Sequence, residues 1–135
     1  MFSETVGLRI HFIDVGEGDS VLIEALDGGC ALVDAGNLIS GFKVVEYLKK
    51  RGIDSIEHLM FTHPHLDHIG GAFFVLQMFD VKNVYDNGQG LSGQDIYRGY
   101  SKLVRENDKY SILKAGDSIL LGEMSLEVLW PQAAS

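Results

Sequence analysis

The sequence predicts an α/β fold, a mixed β-sheet with helices packed on it, in one domain spanning 1–135. Three observations carry that prediction. Short apolar runs of strand length alternate with segments of helical periodicity. The 16 glycines are too many for a helical bundle, and they fall where tight turns would join short elements. The run 56–61, apolar but for Glu57 and His58, reads as a strand buried on both faces.

In chain order, 8–13 reads as a strand with Leu8, Ile10 and Phe12 on one face. Asp14-Val15-Gly16-Glu17-Gly18-Asp19 is a glycine-rich turn. Residues 20–26 and 30–33 are strands joined by a hairpin turn at Asp27-Gly28-Gly29. Residues 42–51 form a helix: Val44, Val45 and Leu48 recur at helical spacing, Lys49, Lys50 and Arg51 suit the negative end of the helix dipole, and Gly52 caps it. A strand over 56–61 leads into Thr62-His63-Pro64-His65-Leu66-Asp67-His68, read as a loop, and then into a buried helix over 69–79. Residues 81–85 are a strand, 86–93 a glycine-rich loop, and 94–107 a mostly polar helix. Residues 110–113, 118–121 and 124–130 are short strands separated by Gly116 and Gly122.

Composition excludes several classes. Cys30 is the one cysteine, so no internal disulfide can form, and it reads as a small buried residue. Lys and Arg number 11 against 19 Asp and Glu, a net charge of -8 that argues against a basic surface for duplex DNA or anionic lipid. No apolar run approaches the roughly 18 residues of a membrane span, and the first ten residues lack the apolar core of a signal peptide. The expected form is stand-alone, soluble and cytoplasmic.

Three of the five histidines, His63, His65 and His68, fall within six residues, with Asp67 among them. Imidazole and carboxylate are the ligands that hold Zn²⁺ or Mn²⁺ in hydrolytic sites. The cluster follows a buried strand and precedes an apolar helix, so it lies at a strand C-terminus, where α/β folds build their functional rim. His63 and His65, two apart, would serve one ion, and Asp67 with His68 a second. Such ions lower the pKa of bound water toward about 7 and stabilise attacking and leaving oxygens. No nucleophile elbow, P-loop or dinucleotide fingerprint competes with this reading.

The segment Thr62-His63-Pro64-His65-Leu66-Asp67-His68 resembles the His-x-His-x-Asp-His motif of the metallo-β-lactamase superfamily. Val33-Asp34-Ala35-Gly36 upstream and Ile69-Gly70-Gly71 downstream fit the same pattern. More narrowly, Phe12-Ile13-Asp14-Val15-Gly16-Glu17-Gly18-Asp19-Ser20 and Val84-Tyr85-Asp86-Asn87-Gly88 are similar to the hydrolase domain of ComEC-type DNA-uptake proteins, with Glu17 where Gln is usual. The resemblance implies the N-terminal half of an αββα sandwich holding two divalent ions, Zn²⁺ first, with Mn²⁺ or Fe as alternatives. It implies His63 and His65 on the first ion and Asp67 and His68 on the second. Asp67 would also accept a proton, and Asp34 would orient the metal loop from behind. Asp14 and Asp19 read as turn residues, and His11 and His58 as structural.

The function implied is metal-dependent hydrolysis of a phosphodiester or other phosphate ester, with a small molecule, nucleotide or nucleic acid as substrate. A thioester, lactone or amide hydrolase and a non-catalytic metal-binding module are the alternatives. Each ion has two ligands from the motif, whereas catalytic zinc needs about three from the protein. The expectation is therefore a chain truncated from a longer hydrolase and inactive alone, with the uncovered sheet face of a half sandwich open to homodimer formation.

Overall fold

The computed structural model describes residues 7–26 and 28–129. Strands β1 (Leu8–Phe12), β2 (Val21–Ala25) and β3 (Cys30–Val33) form an antiparallel meander. Helix α1 (Gly41–Lys50) follows. Next come β4 (Ser55–Ile56), β5 (His58–Met60), α2 (Leu66–Ile69), α3 (Ala72–Met78), β6 (Asp80–Val81) and β7 (Val84–Asp86). Helix α4 (Asp95–Tyr100) runs into a π-helical turn at Ser101–Arg105, and β8 (Tyr110–Ile112), β9 (Ser118–Leu121) and β10 (Met124–Glu127) complete the described chain.

Six strands make one sheet in the order β1-β2-β3-β5-β7-β8, with β3, β5, β7 and β8 mutually parallel. This is the mixed α/β sheet expected, with three differences in detail. The apolar run 56–61 divides between two sheets: Ile56 pairs Val81 in the small parallel pair β4–β6, while His58–Met60 joins the main sheet. The segment 81–85 divides in the same way between β6 and β7. The breaks fall on polar residues, Glu57 in the first run and Lys82-Asn83 in the second, but so short a polar interruption does not by itself separate a strand break from a solvent-facing position on one strand. The helix expected over 94–107 turns inward at its end, burying Tyr100 and Val104 completely. The hairpin residue Asp27 and the end of the strand expected over 124–130 lie outside the described residues.

The register explains the core. Leu22, Leu32, Leu59 and Val84 are successive cross-strand partners and all are fully buried. Alternation along each strand puts them on one face. They form one core cluster with Val44 and Leu48 of α1, Ile69 of α2, Ala72 and Val75 of α3, and Tyr100 and Val104.

The opposite face is built differently. Ala25 and Ala31 pack with Leu121, and Ile23, Met60, Met124 and Leu126 lie against them, so the β9–β10 hairpin covers part of it. His58 fastens that hairpin: its Nε2 lies 2.6 Å from the Leu120 carbonyl and its Nδ1 3.1 Å from the Tyr85 hydroxyl. Leu8, Ile10 and Phe12 do share a face of β1, but they are exposed, Phe12 to 84%. They belong to the hairpin side of the sheet, beyond its cover.

Because β1, β3, β5 and β7 point the same way, the segments that follow them gather at one edge. These are 13–20, 34–40, 62–65 and 87–94. The fold prediction is a contrast. Leu59→Ala should cost about 2–5 kcal/mol, the loss expected where a fully buried Leu leaves a cavity. Phe12→Ala should change stability by less than about 0.5 kcal/mol. Urea denaturation midpoints measure both.

Candidate metal centre

The chain leaves β5 through Phe61, whose amide donates to the Tyr85 carbonyl (2.9 Å), and enters the histidine segment at Thr62. The segment is a loop only as far as His65. His65 is extended (φ -89°, ψ 145°) and precedes α2, whose first turn carries Asp67 and His68. Helix geometry therefore places those two residues. The apolar segment expected as one helix over 69–79 is interrupted at Gly70-Gly71. These glycines lie against the 35–38 loop so closely that a Cβ on Gly71 would sit 1.9 Å from the Ala35 carbonyl oxygen. Only glycine permits that approach.

One carboxylate organises the site. Asp34 is 3% exposed and takes φ +60°, alone among the described non-glycine residues in having positive φ. Its Oδ1 accepts the Thr62 amide (2.8 Å). Its Oδ2 accepts the Thr62 hydroxyl (2.7 Å) and His68 Nδ1–H (2.8 Å). The Thr62 hydroxyl, having donated its own hydrogen to Asp34, accepts from His63 Nδ1–H at 3.0 Å. Thus Asp34 fixes the tautomers of two imidazoles, one directly and one through Thr62, and leaves both Nε2 atoms as free lone pairs. Burial pushes the Asp34 carboxyl above its usual range, against the pull of the Thr62 and His68 hydrogen bonds.

The rings stand together. His63 lies 3.9 Å from His68 and 4.5 Å from His65, centroid to centroid. Burial, then the neighbouring rings of His68 and His65, hold His63 below the usual histidine range, which favours the neutral, ligating form. His68 Nε2 lies 3.6 Å from Asp67 Oδ2 and 3.8 Å from Asp19 Oδ2. In kind and orientation these donors fit a divalent ion: neutral imidazoles with Nδ1–H secured by oxygen are how proteins prepare histidine ligands. They are not yet closed, because among the described residues no three His, Cys, Asp or Glu side chains stand where they would hold one ion.

The neighbouring loops brace this arrangement. Gly18 (φ +108°) touches the histidine segment: a Cβ there would lie 2.2 Å from the Asp67 carbonyl oxygen. The Asp19 carbonyl accepts Gly36 N–H (3.0 Å), and the Ser20 hydroxyl donates to the Asp34 carbonyl (2.9 Å). Asp14 closes a turn on Gly16 N–H. Asn87 donates to the Thr62 carbonyl (3.1 Å) from the β7 side. Behind it the buried Asp86 carboxylate accepts from Tyr100 (2.9 Å), Arg105 (2.8 Å), Tyr110 and Gly88 N–H. Burial and that carboxylate push both tyrosines upward.

His11 and His58 take no part. His11 Nδ1 lies 2.6 Å from the Tyr47 hydroxyl, with Nε2 2.6 Å from Glu24, and His58 serves the hairpin. Cys30 is buried, and burial pushes its thiol up to about 11. Sequence reasoning gave no role to Thr62, although it stands inside the motif. It read Asp19 as a turn residue and did not see the Asp86 network, whose partners are 14 to 24 residues away in sequence.

Comparison with known proteins agrees with this geometry. The model of the metallo-beta-lactamase superfamily matches residues 13–133, and the chain belongs to that superfamily. ComE operon protein 3 of Bacillus subtilis is 27% identical over 93% of this chain and 18% of its own length. The probable metallo-hydrolase YqgX of Bacillus subtilis is 25% identical over 77% of this chain and 50% of its own. The solved metallo-beta-lactamases SMB-1 and MEM-A1, the latter from a soil metagenome library, superpose with TM-scores of 0.68 and 0.69. They share 20% and 19% identity, cover 93% of this chain, and are each spanned over 51% of their own length, so they show the fold. The chain thus spans about half or less of the length of these relatives.

Asp34→Asn tests the tautomer relay. The amide cannot accept from His68 through its NH₂ end, so the His68 proton should move from Nδ1 to Nε2, and stability should fall by about 1–3 kcal/mol. Two-dimensional ¹⁵N spectra of the imidazoles read the tautomer directly, and an unchanged His68 would count against the relay.

Proposed function

We propose that this member of the metallo-beta-lactamase superfamily supplies the first half of a two-ion hydrolytic site, and that its substrate is a phosphodiester or other phosphate ester. The observation that carries this is the paired preparation of His63 and His68 by Asp34 and Thr62. A buried carboxylate that costs stability to bury, spent on aiming two lone pairs outward, makes chemical sense when a cation is to be held.

His63 and His65 would hold one ion, and Asp67 and His68 the second, Zn²⁺ first among candidates. When bound, such ions lower the pKa of water and neutralise charge on a phosphate. The protein's own residues do the rest. Asp34 and Thr62 keep the imidazoles of His63 and His68 oriented. Asp67, half exposed beside His68, would also accept a proton during attack, through the carboxylate oxygen that does not hold the ion. The 13–20 and 87–94 segments wall the site.

Choice of a phosphate ester rests on the similarity of 12–20 and 84–88 to the DNA-uptake hydrolase domain. The overall charge of -8 argues against an extended nucleic-acid track, so recognition would fall to the ion pocket itself. The remaining ligands would come from the second half of a sandwich laid on the Leu8, Ile10 and Phe12 face, or from a second copy of the chain. Among the described residues, no helix is long and apolar enough to cross a membrane.

The test uses the protein in its whole length. Hydrolysis of bis(p-nitrophenyl) phosphate should appear with Zn²⁺ or Mn²⁺ and vanish with chelator. Asp67→Asn should lower kcat by about 10²–10⁴-fold. Activity that survives chelation would overturn the metal reading. A panel in which a thioester, lactone or β-lactam is turned over in place of the phosphodiester would move the substrate assignment to the small-molecule class.

A further inference from the structure

We infer that Asp19 is a metal ligand, completing with Asp67 and His68 a three-donor set on the second ion; this rests on the two-ion reading above. His68 is 7% exposed, its Nδ1 is committed to Asp34, and its Nε2 faces the site with no hydrogen bond among the described residues. Two carboxylate oxygens stand in front of that lone pair, Asp67 Oδ2 at 3.6 Å and Asp19 Oδ2 at 3.8 Å. With Nδ1 committed to Asp34, Nε2 and these two carboxylate oxygens are the donor types that a divalent cation would bring together.

The spacing suits one. Two donors bound at about 2.1 Å to a tetrahedral ion stand about 3.4 Å apart. Each carboxylate is within a few tenths of an ångström of that separation from Nε2. A small rotation of the Asp19 side chain, 71% exposed and free to turn, closes the set.

The backbone beneath Asp19 is fixed, which is what distinguishes it from an acidic residue that happens to be near. Gly18 is pressed on the Asp67 carbonyl, where any side chain would collide. The Asp19 carbonyl is tied to Gly36 N–H (3.0 Å), and Ser20 is tied through its hydroxyl to Asp34 (2.9 Å). The first-strand loop is thereby built onto the same residue that orients His68. Its position supplies a carboxylate from outside the histidine motif, forty-eight residues before Asp67 in the chain.

The experiment is Zn²⁺ titration by calorimetry, with Co²⁺ substitution read by its visible absorption, on the unaltered protein, Asp19→Asn and Glu17→Gln. Glu17 is an exposed acid on the same loop, so Glu17→Gln controls for the loss of one charge. Asp19→Asn should weaken one of two binding steps by about tenfold or more and change the Co²⁺ band, while leaving the melting temperature in chelator unchanged. Glu17→Gln should stay within about twofold of the unaltered protein. If the unaltered protein binds two ions and Asp19→Asn behaves as Glu17→Gln does, Asp19 is no ligand and the two-ion reading survives. These titrations use the protein in its whole length, and if the unaltered protein binds no ion there, both readings fall.

Discussion

The site depends on a single buried carboxylate. Asp34 sits at the end of β3 in the left-handed backbone region, which for a non-glycine residue is tolerated when the surroundings hold it there. They do: its amide donates to the Met60 carbonyl (2.7 Å), its carbonyl accepts from Ser20, and its side chain takes three donors. Reversing the chain in this way turns the carboxylate back under the next strand. From there it reaches both ends of the histidine segment, Thr62 at the start and His68 in the helical turn. Without this one group, the two imidazoles would be free to choose either tautomer and several rotamers, and the lone pairs would not converge.

The sheet makes that convergence possible. Parallel neighbours β3, β5 and β7 deliver their C-terminal ends side by side, and β1 returns to the same edge through the meander. Four loops meet there, braced by close backbone contact more than by side-chain bulk. The contacts of Gly18 with Asp67 and of Gly71 with Ala35 are closer than any side chain allows. Apolar packing secures the helix side of the sheet. Its other side is covered only over Ala25, Ala31 and their neighbours, while β1 presents Leu8, Ile10 and Phe12 outward. An apolar face of that kind is what a second layer covers in a sandwich.

Much of this was legible in the residues. The strand-helix order, the antiparallel meander, α1 with its basic last turn, and the histidine segment at a strand end all follow from periodicity, turn chemistry and ligand type. The segment's position after a buried strand was enough to mark it as a rim feature. Boundaries were less legible. The runs 56–61 and 81–85 each serve two sheets, and the one or two polar residues at each break, Glu57 and Lys82-Asn83, are too short a local signal to mark a change of partner. Leu66 opens a helix inside what reads as a loop, and the tertiary contact of Gly70-Gly71 with the 35–38 loop lies where that helix stops.

Sequence by itself determined the grouping of the candidate ligands, because His63, His65, Asp67 and His68 are neighbours in the chain and their chemistry limits what such a group could bind. It also determined the strands that carry them, because alternation and turn residues are local signals. Only the tertiary structure decided which imidazole nitrogens face outward, since that depends on an acceptor 28 residues upstream of Thr62 and 34 upstream of His68. It alone set Asp19 opposite His68, and it alone gathered Tyr100, Arg105 and Tyr110 on Asp86. These are through-space relations between residues far apart in the chain, and their physical cause is the register of the sheet that brings the strand ends together.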